Sequence, residues 1–151
     1  YGRIDMVENR LVGVKSRECY ECPAALLLIQ AHQSLETLCL DAETLKQKAK
    51  LDVEWASTVY RGLWYSQNRE AIDAYNAYTQ KYVTGDVRIK LCKGGLFVDG
   101  LRSPYSLYDY NLATYDEGDT FDHTASKGFI TIHGLQSKTW SRVQGPGSKL
   151  K

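Results

Sequence analysis

The segment from Arg3 to Pro23, RIDMVENRLVGVKSRECYECP, constrains the fold most, because it combines dense charge with apolar residues that alternate as in a strand. Such alternation predicts extended segments with one face in a core and the other at a working surface. Gly13 interrupts the run and predicts a bulge or a close backbone approach. Two neighbouring segments would place Glu8 and Tyr20 on one surface, a carboxylate beside a phenol. That composition is typical of a small polar pocket.

The residues that follow Pro23 have the 3.6-residue periodicity of helices. Pro23 suits a helix start, and Asp41 and Ser66 are residue types that cap the first turn of a helix. The second helix is expected to pause near Asp52. The predicted helices occupy residues 24–38, 41–62 and 66–85.

Beyond residue 85 the pattern changes from helical to period two. Residues 87–91 alternate, Lys93-Gly94-Gly95 turns, and the chain returns as a hairpin. The tyrosine- and acid-rich residues 103–122 predict irregular structure over the helices, and Asp122 or Thr124 is expected to cap a last helix. The predicted fold class is therefore α+β, with extended strands and a β-hairpin packed with three to four helices.

Composition narrows the classes of function. The chain has 151 residues, 43% of them hydrophobic and 25% charged, which is typical of one globular domain or part of one. Its net charge of +1 gives no general attraction to nucleic acid or anionic lipid. The sequence shows no signal-peptide pattern and no apolar run near the ~20 residues of a membrane span. We therefore expect neither a nucleic-acid nor a membrane partner.

The cysteines and the acidic run do not predict a metal site. Cys19 and Cys22 form a CxxC pair, but zinc needs further ligands, and neither of the other cysteines has a CxxC partner. Residues 116–122 resemble a calcium loop, but the glycine falls too early and Lys127 stands where a glutamate is required. With four cysteines in no regular framework, we expect a reducing cytoplasm.

The same opening segment carries a family resemblance. Its pattern GRIDxVENRxVGxKSRxxYExPA resembles argininosuccinate synthase, an ATP-dependent ligase of arginine biosynthesis. The resemblance continues at Ala31-His32, Leu35-Glu36, Gly62-Leu63-Trp64-Tyr65-Ser66, Ser103-Pro104, Ser106-Leu107-Tyr108 and Gly128-Phe129-Ile130. It implies that residues 1–144 are the carboxy-terminal portion of the synthetase domain, followed by a disordered tail at 145–151. The family's ATP half, with its phosphate loop, is absent from this sequence.

The resemblance also assigns the candidate site. From the residues alone, Glu8 would be read as a salt-bridge partner of Arg10 or Arg17, and Tyr20 as an ordinary amphipathic tyrosine. The family's VENR glutamate and YExPA tyrosine hold citrulline, which implies that Glu8 and Tyr20 are substrate-binding residues here. No catalytic residue and no metal ligand is expected in this chain. The family does not use cysteine at positions 19 and 22, so the CxxC pair departs from its pattern.

The implied reaction joins citrulline and aspartate with ATP, through citrullyl-adenylate, to give argininosuccinate, AMP and pyrophosphate. ATP and Mg²⁺ would be bound mainly by the absent half, so no cofactor is expected for this chain alone, which we expect to be inactive. The resemblance implies a cytoplasmic homotetramer. The alternative interpretation is a non-catalytic oligomerisation module, with which the aromatic helices and Trp140 are compatible.

Overall fold

The computed structural model describes residues 1–113, 120 and 122–146, and its architecture confirms the α+β class. It has two antiparallel hairpins, β1–β2 and β3–β4. The described residues hold six helices, more than the three to four expected, although one is only four residues long. The elements are β1 Arg3–Asn9, β2 Lys15–Glu21, α1 Pro23–Cys39, α2 Ala42–Tyr60, α3 Gln67–Thr79, a 3₁₀ turn Gln80–Tyr82, β3 Asp86–Cys92, β4 Gly95–Arg102, α4 Tyr110–Ala113, α5 Ala125–His133 and α6 Leu135–Val143.

The chain divides into two compact units, residues 1–108 and residues 109–151. The first unit contains both hairpins, the long helices α1 to α3 and the predicted site. The second contains the short helices α4 to α6. None of the helices in the described ranges is long and apolar enough to cross a membrane. The domain assignment of residues 1–144 stays a prediction.

The first hairpin confirms the two extended segments and corrects the role of Gly13. β1 and β2 pair regularly from Arg3 opposite Glu21 to Asn9 opposite Lys15, without a bulge. Gly13 lies in the connecting turn with φ of 85°, and a Cβ there would meet nothing within 4 Å. The expected bulge or close approach at Gly13 was therefore wrong, because the glycine serves only the positive φ of the reversal.

A close backbone approach occurs instead at the start of the chain. Gly2 has φ of 91°, and a Cβ on it would lie 2.5 Å from the Cα of Pro23. The backbone N–H of Cys22 donates to the Gly2 carbonyl at 2.7 Å. These contacts join the base of the first hairpin to the first turn of α1, where Pro23 occupies the position that needs no N–H.

Helices α2 and α3 begin at the predicted caps. The Asp41 carboxylate accepts hydrogen bonds from the backbone N–H groups of Glu43 and Thr44, and the Ser66 hydroxyl accepts from Arg69 N–H. Helix α2 is continuous, so the predicted pause near Asp52 was wrong. An ion pair between residues 48 and 52, one turn apart at 2.6 Å, supports the helix at that point.

Helices α2 and α3 are antiparallel neighbours. Asn68 contacts Glu54 at the start of α3, whereas Tyr75 contacts the carbonyl of Thr44 near the other end of the pair. The Trp55 indole N–H also donates across the pair, to an Asp73 carboxylate oxygen at 2.8 Å. The start of α3 thus lies beside the late part of α2, and the later part of α3 beside the start of α2, so the connection at residues 62–65 reverses the chain.

The buried core of the first unit is small. Among the described residues, the buried hydrophobic side chains are those of Leu35, Cys39 and Ile72. Leu35 and Cys39 lie on α1, which packs against β3 and β4, and Cys39 Sγ is 3.2 Å from the hydroxyl of Ser103. Many large apolar side chains on the same unit are more than half exposed, Val12 at 84% and Val53 at 70% among them.

One buried charged cluster joins α1 to α2. Glu36 is 5% exposed, and its Oε1 accepts from Gln80 Nε2 at 2.8 Å, with Lys48 Nζ at 3.1 Å and His32 Nε2 at 3.2 Å. The Lys48 ammonium also contacts Asp52 at 2.6 Å. The cluster connects three separate segments through a single carboxylate.

The predicted second hairpin is confirmed. β3 pairs antiparallel with β4, and Gly94 turns the chain with φ of 72°. The register shifts within this hairpin: Arg88 faces Gly100, whereas Ile89 faces Val98. Asp99 is therefore an extra residue in β4, which forms a β-bulge. Arg88 Nε donates to the Asp99 carboxylate at 3.0 Å.

The second unit corrects the last predicted helix. Two helices, α5 and α6, meet at Gly134 in place of one. Asp122 Oδ1 accepts from the backbone N–H of Thr124 at 2.9 Å just before α5, whereas Thr124 itself makes no side-chain cap bond. Residues 116–119 and 121 of the calcium-like run and residues 147–151 of the predicted tail lie outside the described residues.

Candidate functional site

The site is built on one face of the first hairpin. Side chains alternate along each strand, and facing residues point to the same side of the pair. The face that carries Glu8, which we call the Glu8 face, is formed by Ile4, Met6 and Glu8 of β1 with Ser16, Glu18 and Tyr20 of β2. The opposite face carries Asp5, Val7, Arg17 and Cys19.

The structure brings the two predicted site residues into direct contact. The Tyr20 hydroxyl donates a hydrogen bond to Glu8 Oε2 at 3.0 Å. The two residues are not opposite each other, since Glu8 faces Ser16 and Tyr20 faces Ile4. Their long side chains therefore meet along the Glu8 face. Tyr20 is 42% exposed and Glu8 is half-buried, so a ligand in solvent can reach both.

The cations weighed as partners of Glu8 are engaged elsewhere. Arg10 Nη2 lies 2.8 Å from Glu18 Oε1, and Arg17 Nη2 lies 2.7 Å from Asp5 Oδ2 on the opposite face. The salt-bridge interpretation of Glu8 with Arg10 or Arg17 is therefore not what the structure shows. Among the described residues, Glu8 keeps a neutral hydrogen bond only, which leaves its charge unpaired.

The electrostatics keep the Tyr20 phenol protonated. The hydrogen bond to Glu8 is the main cause that raises the pKa of Tyr20 above its usual value, and burial and the negative charges of Glu8 and Glu18 act in the same direction. The positive charge of Arg10 opposes them. Tyr20 therefore stays protonated at neutral pH, donates a hydrogen bond to Glu8 and keeps its oxygen lone pairs available as acceptors.

This arrangement suits a small cationic group. A carboxylate has about four lone-pair sites, and the contact with Tyr20 occupies one of them at Oε2. Oε1 of Glu8 and the Tyr20 oxygen can both accept hydrogen bonds from a bound ammonium. Bonds between charged groups are about twice as strong as neutral ones, so Glu8 would contribute most of the attraction.

The cysteine pair does not form one site in this structure. Cys19 is exposed on the face opposite Tyr20, whereas Cys22 is partly buried beside the start of α1, and both thiols are free. In the part of the chain that the structure describes, no group of three or more histidine, cysteine or acidic side chains is arranged to hold a metal ion.

The pairing of Arg10 with Glu18 was missed by the sequence reasoning. The sequence predicts Arg10 only as a partner of Glu8 and predicts no role for Glu18. The two-residue period of β2 places positions 16, 18 and 20 on one face, and this pattern could have indicated that Glu18 lies beside the predicted site. Arg10 Nε also donates to Ser16 Oγ at 3.2 Å. The Glu8 face therefore carries two carboxylates and one guanidinium.

Comparisons with known proteins agree on one family. The family profile described as the arginosuccinate synthase C-terminal domain matches residues 1–140. Argininosuccinate synthase of Synechococcus sp. strain JA-3-3Ab is 57% identical over 148 residues, which cover 97% of this chain and 37% of that protein. The corresponding protein of Gloeobacter violaceus is 53% identical over 143 residues, covering 95% and 36%. The chain thus spans little more than a third of the length of these relatives.

Proposed function

The chain belongs to the argininosuccinate synthase family, and we propose that it supplies the part of a complete synthase that holds the amino-acid end of citrulline. The complete enzyme would join citrulline to aspartate with ATP, through citrullyl-adenylate, releasing AMP and pyrophosphate. The observation that carries this proposal is the hydrogen bond between Tyr20 and Glu8 on an accessible face. Among the described residues Glu8 has no ionic partner, and this supports the proposal that its carboxylate binds the ligand ammonium.

The contribution of this chain would be positioning. Citrulline has an ammonium and a carboxylate at one end and a neutral ureido group at the other. Glu8 would accept hydrogen bonds from the ammonium, and Tyr20 would add a neutral one. With that end fixed, the ureido oxygen can be held in line with the α-phosphate of ATP, an arrangement that lowers the barrier through proximity and charge stabilisation.

The remaining requirements of the reaction would be met by the rest of the complete enzyme. In this proposal ATP, Mg²⁺ and aspartate bind mainly outside these 151 residues. The complete protein would be a homotetramer in the cytoplasm. The isolated chain would bind citrulline weakly and catalyse nothing, because the phosphate-binding part is not within it.

The experiment that tests the proposal uses a hybrid synthase, in which this chain replaces the matched segment of the Synechococcus JA-3-3Ab relative. We expect the hybrid to release pyrophosphate in a citrulline-dependent manner and to form argininosuccinate. The isolated chain, assayed at the same concentration, is expected to release none. Citrulline-dependent pyrophosphate release from the isolated chain would contradict the proposal that catalysis needs the rest of the complete enzyme.

A second candidate function, an oligomerisation module, is favoured by one specific observation. The tip of the first hairpin exposes three apolar side chains, with Leu11 at 64%, Val12 at 84% and Val14 at 63%. Such side chains at a turn are typical of a surface that another chain covers. Sedimentation of the isolated chain is expected to show concentration-dependent association if this region assembles by itself, and a clean monomer would count against it.

A further inference from the structure

We propose that Glu18 is a positioning residue that holds Arg10 away from Glu8 and so keeps Glu8 available to the ligand ammonium. This inference rests on the proposed function, since it concerns the same site. Position 18 falls at an unspecified position of the KSRxxYExPA pattern. The family resemblance therefore assigns this residue no role, and the inference comes from the contacts of the Glu8 face.

The contacts show how the Arg10 side chain is held. Its Nη2 lies 2.8 Å from Glu18 Oε1, and its Nε donates to Ser16 Oγ at 3.2 Å. Its backbone is also fixed in the turn, because its N–H donates to Val14 O and its carbonyl accepts from Gly13, both at 2.8 Å. Two β2 side chains thus direct the guanidinium across the hairpin towards β2.

Arg10 would otherwise lie within reach of Glu8. Arg10 follows β1 directly, two positions after Glu8, and its side chain contacts Ser16 and Glu18, which lie on the Glu8 face. The Tyr20 hydroxyl contacts Glu8, and Arg10 contacts Glu18, so the four side chains lie together on the Glu8 face. If Glu18 lost its charge, Glu8 would be the nearest carboxylate on the Glu8 face.

The consequence is a competition for one carboxylate. With the Arg10–Glu18 pair neutral, Glu8 supplies the unbalanced negative charge of this face and attracts a cation. An Arg10 guanidinium released onto Glu8 would have to be displaced by the ligand. Exposed ion pairs are weak and shift such an equilibrium by roughly two- to fivefold. Glu18 would therefore act on the affinity for citrulline and not on the chemical step.

The test is a steady-state comparison in the hybrid synthase. Glu18→Gln is expected to raise KM for citrulline by about threefold, in the range of an exposed ion pair, with kcat and the KM for ATP unchanged. The double variant Arg10→Gln/Glu18→Gln is expected to return KM for citrulline to near the parent value, because no guanidinium remains to compete. A merely structural role of Glu18 would not produce this rescue.

A matched control is available on the second hairpin. Arg88 and Asp99 form a cross-strand ion pair at 3.0 Å, also in a two-stranded hairpin. Asp99→Asn removes a carboxylate from that pair and is expected to leave KM for citrulline unchanged. This control separates an effect that is specific to the Glu8 face from the effect of removing any surface carboxylate.

Two results would overturn the inference. One is an unchanged KM for citrulline in Glu18→Gln, and the other is a double variant whose KM stays as high as that of Glu18→Gln. The variant Glu8→Gln distinguishes failure of the Glu18 inference from failure of the proposed citrulline site. If Glu8→Gln raises KM for citrulline while Glu18→Gln does not, only the role of Glu18 fails. If Glu8→Gln also has no effect, the proposed citrulline site fails with it.

Discussion

Replacement of Glu8 by glutamine is expected to raise KM for citrulline roughly 10- to 100-fold in the hybrid synthase, whereas Tyr20→Phe raises it only about fivefold. Glutamine keeps the length of the side chain but removes the charge that attracts the ligand ammonium. Phenylalanine removes one neutral hydrogen bond and leaves the Glu8 carboxylate in place. Hydrogen bonds to charged groups are about twice as strong as neutral ones, so the two effects should differ clearly.

The measurement is the steady-state rate as a function of citrulline at saturating ATP and aspartate. Asp99→Asn, which removes a carboxylate from the second hairpin, serves as the control and should match the parent hybrid. Equal increases of KM for Glu8→Gln and Tyr20→Phe would contradict the assignment of Glu8 as the charged anchor.

The largest effect on stability is expected from Lys48→Met. The Lys48 side chain is 12% exposed and lies 3.1 Å from the carboxylate of Glu36, whose side chain is 7% exposed. Methionine would leave that carboxylate buried, with Gln80 and His32 as its remaining partners among the described residues. Removing one member of a buried ion pair leaves the other charge buried without its counter-ion. We therefore expect a loss of about 2–3 kcal/mol in the free energy of unfolding. Urea unfolding followed by far-UV circular dichroism measures it.

Lys46→Met is the matched control for that variant. Lys46 lies on the same helix, is 65% exposed and contacts the exposed Glu43 at 3.6 Å. Its replacement is expected to change the free energy of unfolding by less than about 0.5 kcal/mol. A loss in Lys48→Met no larger than in Lys46→Met would contradict the stabilising role of the buried pair.

The same lysine predicts a dependence on alkaline pH. Burial acts to lower the pKa of Lys48, but its hydrogen bonds to Asp52 and Glu36 outweigh burial and raise the pKa above the usual 10.5. Because the folded pKa lies above the unfolded value, the contribution to stability is complete below pH 10.5 and is lost as pH rises through the folded pKa. In Lys48→Met this part of the alkaline loss should disappear.

Local signals in the sequence predicted most of the secondary structure. The charged alternating segment gave two strands, the caps at Asp41 and Ser66 marked two helix starts, and Gly94 marked a hairpin turn. Each of these signals acts within a few residues of the chain. The close approach of Gly2 to Pro23 could not be predicted in this way, because it depends on how the hairpin returns to the first helix.

The site was only partly accessible to sequence reasoning. The resemblance pointed to Glu8 and Tyr20, and strand alternation made it possible for them to share a face. The register that brings them together depends on the turn between the strands. The pairing of Arg10 with Glu18 follows from that register. The buried contact of Glu36 with Lys48 joins separate helices, so no short-range pattern in the sequence predicts it.

The most direct test of the citrulline site is a binding measurement with two ligands. Isothermal titration of the hybrid synthase would compare citrulline with 5-ureidopentanoate, which has the same ureido group and carboxylate but lacks the α-ammonium. The parent hybrid is expected to bind citrulline at least ~10-fold more tightly, and Glu8→Gln should erase that preference because the charged acceptor is gone. An undiminished preference in Glu8→Gln would mean that the ammonium is bound elsewhere and that the Glu8 face does not hold citrulline.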